Sequence, residues 1–104
     1  MNCLIYISKQ YTDRKRYEEI LKTFNSLFNY VMSHYSPKTA KDLRYMGLKY
    51  DLIAKDQLYN FLREDTKYVI VFYDYEDKHT EEIINYCAKH SVPILVVNNA
   101  YEWS

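Results

Sequence analysis

The chain has 104 residues, the size of one domain that buries roughly two thirds of the surface its unfolded form exposes. Its 14 Lys and Arg balance its 14 Asp and Glu, which excludes a global field of the kind that draws proteins onto nucleic acid or anionic membranes; a polyanion site would have to be local. No apolar run approaches the roughly 18 residues that span a bilayer, and Met1-Asn2-Cys3-Leu4-Ile5-Tyr6 has neither a basic leader nor a cleavage site, so a cytoplasmic protein is expected.

Cys3-Leu4-Ile5-Tyr6-Ile7 is a short apolar run that stops at Ser8-Lys9-Gln10, the pattern of a strand buried on both faces. From Asp13 the period changes. Tyr17, Ile20, Leu21, Phe24, Leu27 and Phe28 step by three and four, which predicts a helix capped by Thr12 or Asp13. Val31, Met32 and Tyr35 continue that stripe, but Tyr30-Val31-Met32-Ser33 also reads as a strand. A strand is preferred because parallel neighbours need a crossover helix between them. Ser36-Pro37 opens a loop, and a poorly patterned stretch leads to Gly47, the single glycine.

Asp51 to Glu64 places Ala54, Leu58, Phe61 and Leu62 at helical spacing, closed by Asp65-Thr66. Tyr68-Val69-Ile70-Val71-Phe72-Tyr73 is β-branched and aromatic throughout and predicts a central strand. After the polar loop from Asp74 to His79, Thr80 is expected to cap a helix with Glu81 and Glu82 in its first turn. Ile83, Ile84, Cys87 and Ala88 then face inward, and Lys89 and His90 suit the C-terminus. Val92-Pro93-Ile94-Leu95-Val96-Val97 is the last strand, with Pro93 at its start. Cys3 and Cys87, the only cysteines, fall in apolar patterns without ligand spacing and predict buried reduced thiols. The chain reads as one α/β domain over residues 1–104, with ligands expected outside the carboxyl ends of a short, mainly parallel sheet of about four strands.

Those strand ends carry a family likeness. Ile5-Tyr6-Ile7-Ser8-Lys9-Gln10-Tyr11-Thr12-Asp13-Arg14 resembles the opening of the YspA-type branch of the SLOG superfamily, a strand followed by glycine-serine-arginine, an aromatic, threonine and aspartate. Val31-Met32-Ser33-His34-Tyr35, leading to Ala40-Lys41-Asp42-Leu43, is similar to that family's second strand, serine-glycine-glycine loop and aspartate. Ala54-Lys55-Asp56-Gln57 resembles its arginine-asparagine helix start. Val71-Phe72-Tyr73-Asp74, Lys78-His79-Thr80, Ile83-Ile84 and Val92-Pro93-Ile94 follow its last pattern. The resemblance implies a small Rossmann-like three-layer fold that binds a nucleotide or nucleotide-derived molecule without chemistry, and it implies no cofactor. The ligand would meet Ser8, Lys9, Gln10, Thr12 and Asp13 in the first loop and Ser33, His34 and Tyr35 in the second. Asp74, Tyr75, His79 and Thr80 would meet it in the third.

The family's loop glycines are replaced here. Ile7 precedes Ser8, His34 and Tyr35 stand for a glycine pair, and Tyr75 and His79 stand for the last two. A phosphate is expected near Ser8, Lys9 and Thr12, helped by Arg14, Lys15 and Arg16, unless these are simply a solvated basic turn. Asp74 or Asp77 would then touch ribose. Of the 13 tyrosines, Tyr6, Tyr17, Tyr30 and Tyr68 fall on core or half-buried positions, while Tyr11, Tyr35, Tyr73 and Tyr75 flank the cleft. His34 and His79 at strand ends lack a third convergent ligand, so no metal site is expected. Two other readings stand beside the first. One is an interaction or inhibitor protein, phage-encoded in this reading, that has lost the pocket and binds a host protein; abundant Tyr, Lys, Asn and Ile suit the AT-rich genome of a virus or a low-GC bacterium. The other is an N-glycosidase using Asp74, Asp42 or Glu76. A homodimer is compatible with a small sheet and apolar helices.

Overall fold

The computed structural model of the chain describes residues 2–8, 11, 13–33, 37–64, 68–73 and 78–98. Strands β1 (Asn2–Ile7), β2 (Asn29–Met32), β3 (Tyr50–Leu52), β4 (Tyr68–Tyr73) and β5 (Ile94–Asn98) alternate with helices α1 (Arg14–Thr23), α2 (Pro37–Tyr45), α3 (Leu58–Glu64) and α4 (Lys78–Lys89). All strand pairs are parallel, in the order β3-β2-β1-β4-β5. The interior strands β1 and β4 are apolar on both faces because each face is covered by helices. On one face Tyr17 and Leu21 of α1 and Leu43 of α2 pack against Cys3, Ile5, Ile70 and Phe72. On the other, Leu58 and Leu62 of α3 and Ile83 and Cys87 of α4 pack against Leu4, Tyr6, Val69 and Val71. The fold is therefore a three-layer, Rossmann-like α/β domain, and the expected β1, β2, β4 and β5 are present with β4 between β1 and β5.

The middle of the chain departs from expectation. The apolar stripe of α1 runs on to Phe28, but the helix stops at Thr23 and a turn spans 24–27. Asn25 and Ser26 are poor helix formers there, and Tyr30, 2% exposed, reaches back to donate its hydroxyl to the Leu21 carbonyl at 2.5 Å. The stretch read as loop holds α2, whose inward stripe is only Ala40 and Leu43, too narrow to declare a helix. The Gly47 N–H donates to Arg44 O and the Leu48 N–H to Leu43 O. With Gly47 at φ 75°, these bonds close α2 in the left-handed cap that glycine favours.

The predicted helix from Asp51 also begins late. Tyr50–Leu52 pair with Tyr30, Val31 and Met32 as a fifth strand, a turn of 3-10 helix follows at Lys55–Gln57, and α3 starts at Leu58. Pairing with the open edge of β2 outweighs a weak local helical period, as tertiary context commonly does. At α4 the helix begins at Lys78, so Thr80 lies inside its first turn, fully buried, rather than capping it. Ile83 and Cys87 face inward as expected and Ile84 partly so, whereas Ala88 is exposed.

Candidate functional site at the carboxyl ends of the strands

The chain moves from β1 outward to β2 and β3, then returns across β1 to β4 and β5. The reversal leaves its switch point between the carboxyl ends of β1 and β4, the strands followed by α1 and α4 on opposite faces of the sheet. Of the residues expected there, Lys9, Gln10, Thr12, His34, Tyr35, Asp74 and Tyr75 lie outside the described residues, as do Glu76 and Asp77. Ser8, Asp13, Ser33, His79 and Thr80 are described.

The sheet divides these five. Along β1 the alternating residues Leu4 and Tyr6 face α3 and α4, and continuing the alternation puts Ser8 on that side, with Tyr73 and Thr80. Val31 does the same for Ser33. Ser8 and Ser33 are 2% and 5% exposed, too enclosed to reach far into solvent. The Ser8 amide donates to the Phe72 carbonyl and its carbonyl accepts from Tyr11 N–H, which fixes the chain's exit from β1. Asp13 lies across the sheet at the start of α1, so one compact set of contacts does not form from these side chains alone.

At that start the helix supplies its own anion. The Asp13 carboxylate accepts the Arg16 backbone N–H at 3.2 Å, so Asp13 is the N-cap and offsets the positive end of the helix dipole. The same end was the expected phosphate site. Arg14, one of the basic side chains assigned to it, turns instead toward α2, 3.7 Å from Asp42 and 5.2 Å over the Tyr45 ring. Asp42 is 9% exposed and also accepts the Tyr17 hydroxyl at 2.5 Å. Burial, with the Asp42 hydrogen bond and charge, raises the Tyr17 phenol above its ordinary value. A carboxylate held by a phenol and a guanidinium clamps α1 to α2. Asp42, suspected as a glycosidase carboxylate, is thus structurally engaged.

Tyr11 and Tyr73, expected to flank the cleft, are instead packed inside, 5% and 9% exposed. The Tyr11 ring meets Phe72 at 5.5 Å and Tyr17 at 6.3 Å. Its hydroxyl is buried with no hydrogen-bond partner among the described residues, at a cost of about 1–3 kcal/mol. Burial first, then the Asp13 charge, pushes its phenol up to about 12. The Tyr73 hydroxyl donates to Glu81 at 2.8 Å. His79 sits in the first turn of α4 rather than in a loop, exposed and 4.0 Å from Glu82. Glu81 and Glu82 make the start of α4 unfavourable for phosphate, whereas Lys15 and Arg16 at the start of α1 attract one.

Among the described residues no three His, Cys, Asp or Glu converge as a metal site, and no helix is long and apolar enough to cross a membrane. Cys3 and Cys87 are free and buried, and burial pushes their thiols up to about 12 and about 11.

The opposite end of the sheet holds a feature that sequence patterning missed. A groove of about 500 Å³ opens at the amino ends of β2 and β3, beside the turn after α1 and the end of α2. Phe28, Asn29 and Tyr50 are among the residues lining it. No periodic signal marks such a place, because it is made by two helix ends and an edge strand far apart in the chain.

Comparison with known proteins finds no matching family model, no matching curated protein and no matching solved structure.

Proposed function

We propose that the protein binds a nucleotide-derived small molecule, without chemical conversion, in the crevice between the carboxyl ends of β1 and β4. The topological switch point carries this reading. The segments that follow Ser8 and Tyr73 are two of those in which the chain resembles SLOG domains. On the α4 side, Glu81 and Glu82 favour the uncharged part of such a ligand, its base and ribose hydroxyls, over its phosphates. Two of the carboxylates near this end are engaged within the protein, which fits binding without reaction. Asp42 is held by Tyr17 and Arg14, and Glu81 by Tyr73.

Thermal unfolding with adenosine, guanosine, their mono- and cyclic phosphates, NAD and ADP-ribose tests the proposal. A ligand at about 100 times its Kd contributes roughly 2.7 kcal/mol, a shift of about 10 °C for a domain of this size. Nucleosides are expected to match or exceed their monophosphates, with the ligand recovered intact. An unchanged melting temperature across the series would reject binding of this class. Release of free base would replace it with the glycosidase reading.

A further inference from the structure

We propose that the outer edge of β5 pairs with the same edge of a second copy of this chain, joining two sheets about a two-fold axis. The surface lies at the border of the sheet, and the proposal does not rest on the reading of the carboxyl-end crevice.

The two borders of the sheet differ. At one, β3 has three residues and carries Asp51, with Lys49 just before it, the short and charged form that keeps an edge from recruiting another strand. At the other, β5 has five residues, Ile94-Leu95-Val96-Val97-Asn98, and no charge. Among the described residues no strand pairs with its outer side. Pro93 does not blunt it. The Val69 N–H donates to the Pro93 carbonyl at 3.0 Å, and backbone groups alternate sides along a strand, so Pro93, Leu95 and Val97 turn theirs toward β4. The N–H that proline lacks therefore belongs to the inner side. Ile94, Val96 and Asn98 direct their N–H and C=O groups outward.

That outward set is self-complementary. When Val96 lies opposite its own counterpart in an antiparallel copy, the two residues exchange N–H···O bonds, and each Ile94 does the same with an Asn98. The layer above the edge matches as well. Half-buried Ile94 and Val96 pack on the face that α4 covers. One flank of α4 is turned to α3, where the rings of Tyr86 and Tyr59 meet at 4.9 Å. The opposite flank overhangs β5, because α4 leads from β4 to that edge strand. It carries half-buried Ile84 and exposed Ala88, one turn apart. A two-fold axis through the strand pair brings these flanks of two copies together and continues the apolar layer across the joint. A second copy supplies an equal edge and an equal flank at the same spacing, as an isologous interface requires. Residues 92–98 carry no charge to oppose its approach, and the chain as a whole is neutral.

Sedimentation equilibrium of the full chain from micromolar to millimolar concentration tests the pairing. The mass is expected to rise from one chain of 12.7 kDa to two and to stop there. In the dimer the Ile94 and Val96 amides should be protected from hydrogen exchange and should lose that protection on dilution, while Leu95 and Val97 stay protected throughout. Ala88→Lys sets like charges against each other across the axis, and Val96→Pro removes an outward N–H that β4 does not use; each should raise the dimer Kd at least tenfold. Leu52→Lys, at the opposite border, should leave it unchanged. Ala88 is exposed, so Ala88→Lys keeps the fold, verified by circular dichroism, and decides the matter even if Val96→Pro does not fold. A mass of one chain at every concentration would overturn the proposal, as would growth beyond two chains. So would a dimer that Ala88→Lys leaves intact, or one whose Ile94 and Val96 amides exchange freely.

Discussion

At the carboxyl ends of the strands several charged and phenolic groups are answered by one another, while at the amino ends Lys49 and Asp51 stand exposed. Asp42 takes Tyr17 and Arg14, Tyr73 takes Glu81, and Asp13 takes a backbone amide of its own helix. Helix polarity explains part of the contrast. Helices begin at the carboxyl end of a parallel sheet, where amide donors need acceptors, and finish at the amino end, where a left-handed residue follows α2 and α4.

The largest test of the contrast concerns the interior behind the amino end, where Cys3 in β1 and Cys87 in the last turns of α4 are both fully buried. Their thiols keep their protons up to about 12 and about 11, against an ordinary value of 9.0. The folded state therefore holds protons that the unfolded state releases. The associated stability is complete below about pH 9 and is lost as pH rises from there through 11 to 12. At pH 8 the smaller thiolate fraction alone should slow reaction with a thiol reagent by about 100-fold or more relative to protein unfolded in urea. Native reactivity approaching the unfolded rate would show that this interior opens readily.

Next in size is a pair of tyrosines in one aromatic cluster that should respond with opposite signs. Tyr17→Phe removes a donor from a buried carboxylate and should cost about 2 kcal/mol in urea denaturation, whereas Tyr11→Phe deletes an unpartnered hydroxyl and should stabilise by up to about 1 kcal/mol. If Tyr11→Phe destabilises, the hydroxyl has a partner in solution, and the inward satisfaction of polar groups at this end is more complete than described.

Asp13→Ala tests whether the carboxylate defends the start of α1. Loss of the cap should cost about 1 kcal/mol and at the same time strengthen binding of inorganic phosphate or a nucleoside monophosphate relative to the nucleoside. The smallest effect belongs to the amino end. Ser91 occupies φ 57° directly after α4, and the Val92 N–H closes on the Cys87 carbonyl. Ser91→Gly should relieve the left-handed strain and stabilise by roughly 0.5–1 kcal/mol, while Gly47→Ala at the end of α2 should cost a similar amount. No change on Ser91→Gly would mean that the two helix ends are not stopped by the same device.

The resulting picture marks where residue patterns were sufficient. β1 and β4 are continuous apolar runs because they are covered on both faces, and α4 carries its inward stripe in Ile83 and Cys87, so each was readable from its own residues. Thr12 and Asp13 were both readable as caps by type and position, and the structure chose Asp13. The loop residues around Ser8, Ser33 and Thr80 could be ranked as strand-end groups, but not that the sheet would place Ser8, Ser33 and Thr80 on one side and Asp13 on the other. The inward packing of Tyr11 and Tyr73 was also hidden, since a tyrosine beside a loop reads the same whether its ring faces water or a neighbouring helix.

Local periodicity and residue chemistry thus determined the fold class, the parallel sheet, the interior strands and the reduced cysteines, because each depends on contacts that a segment makes through its own repeating face. Tertiary structure alone decided α2 and β3, the Tyr17–Asp42–Arg14 clamp and the amino-end groove. Their energies come from partners distant in the chain: a three-residue strand is stable only against the open edge of β2, and a carboxylate is buried only where another helix brings it a donor.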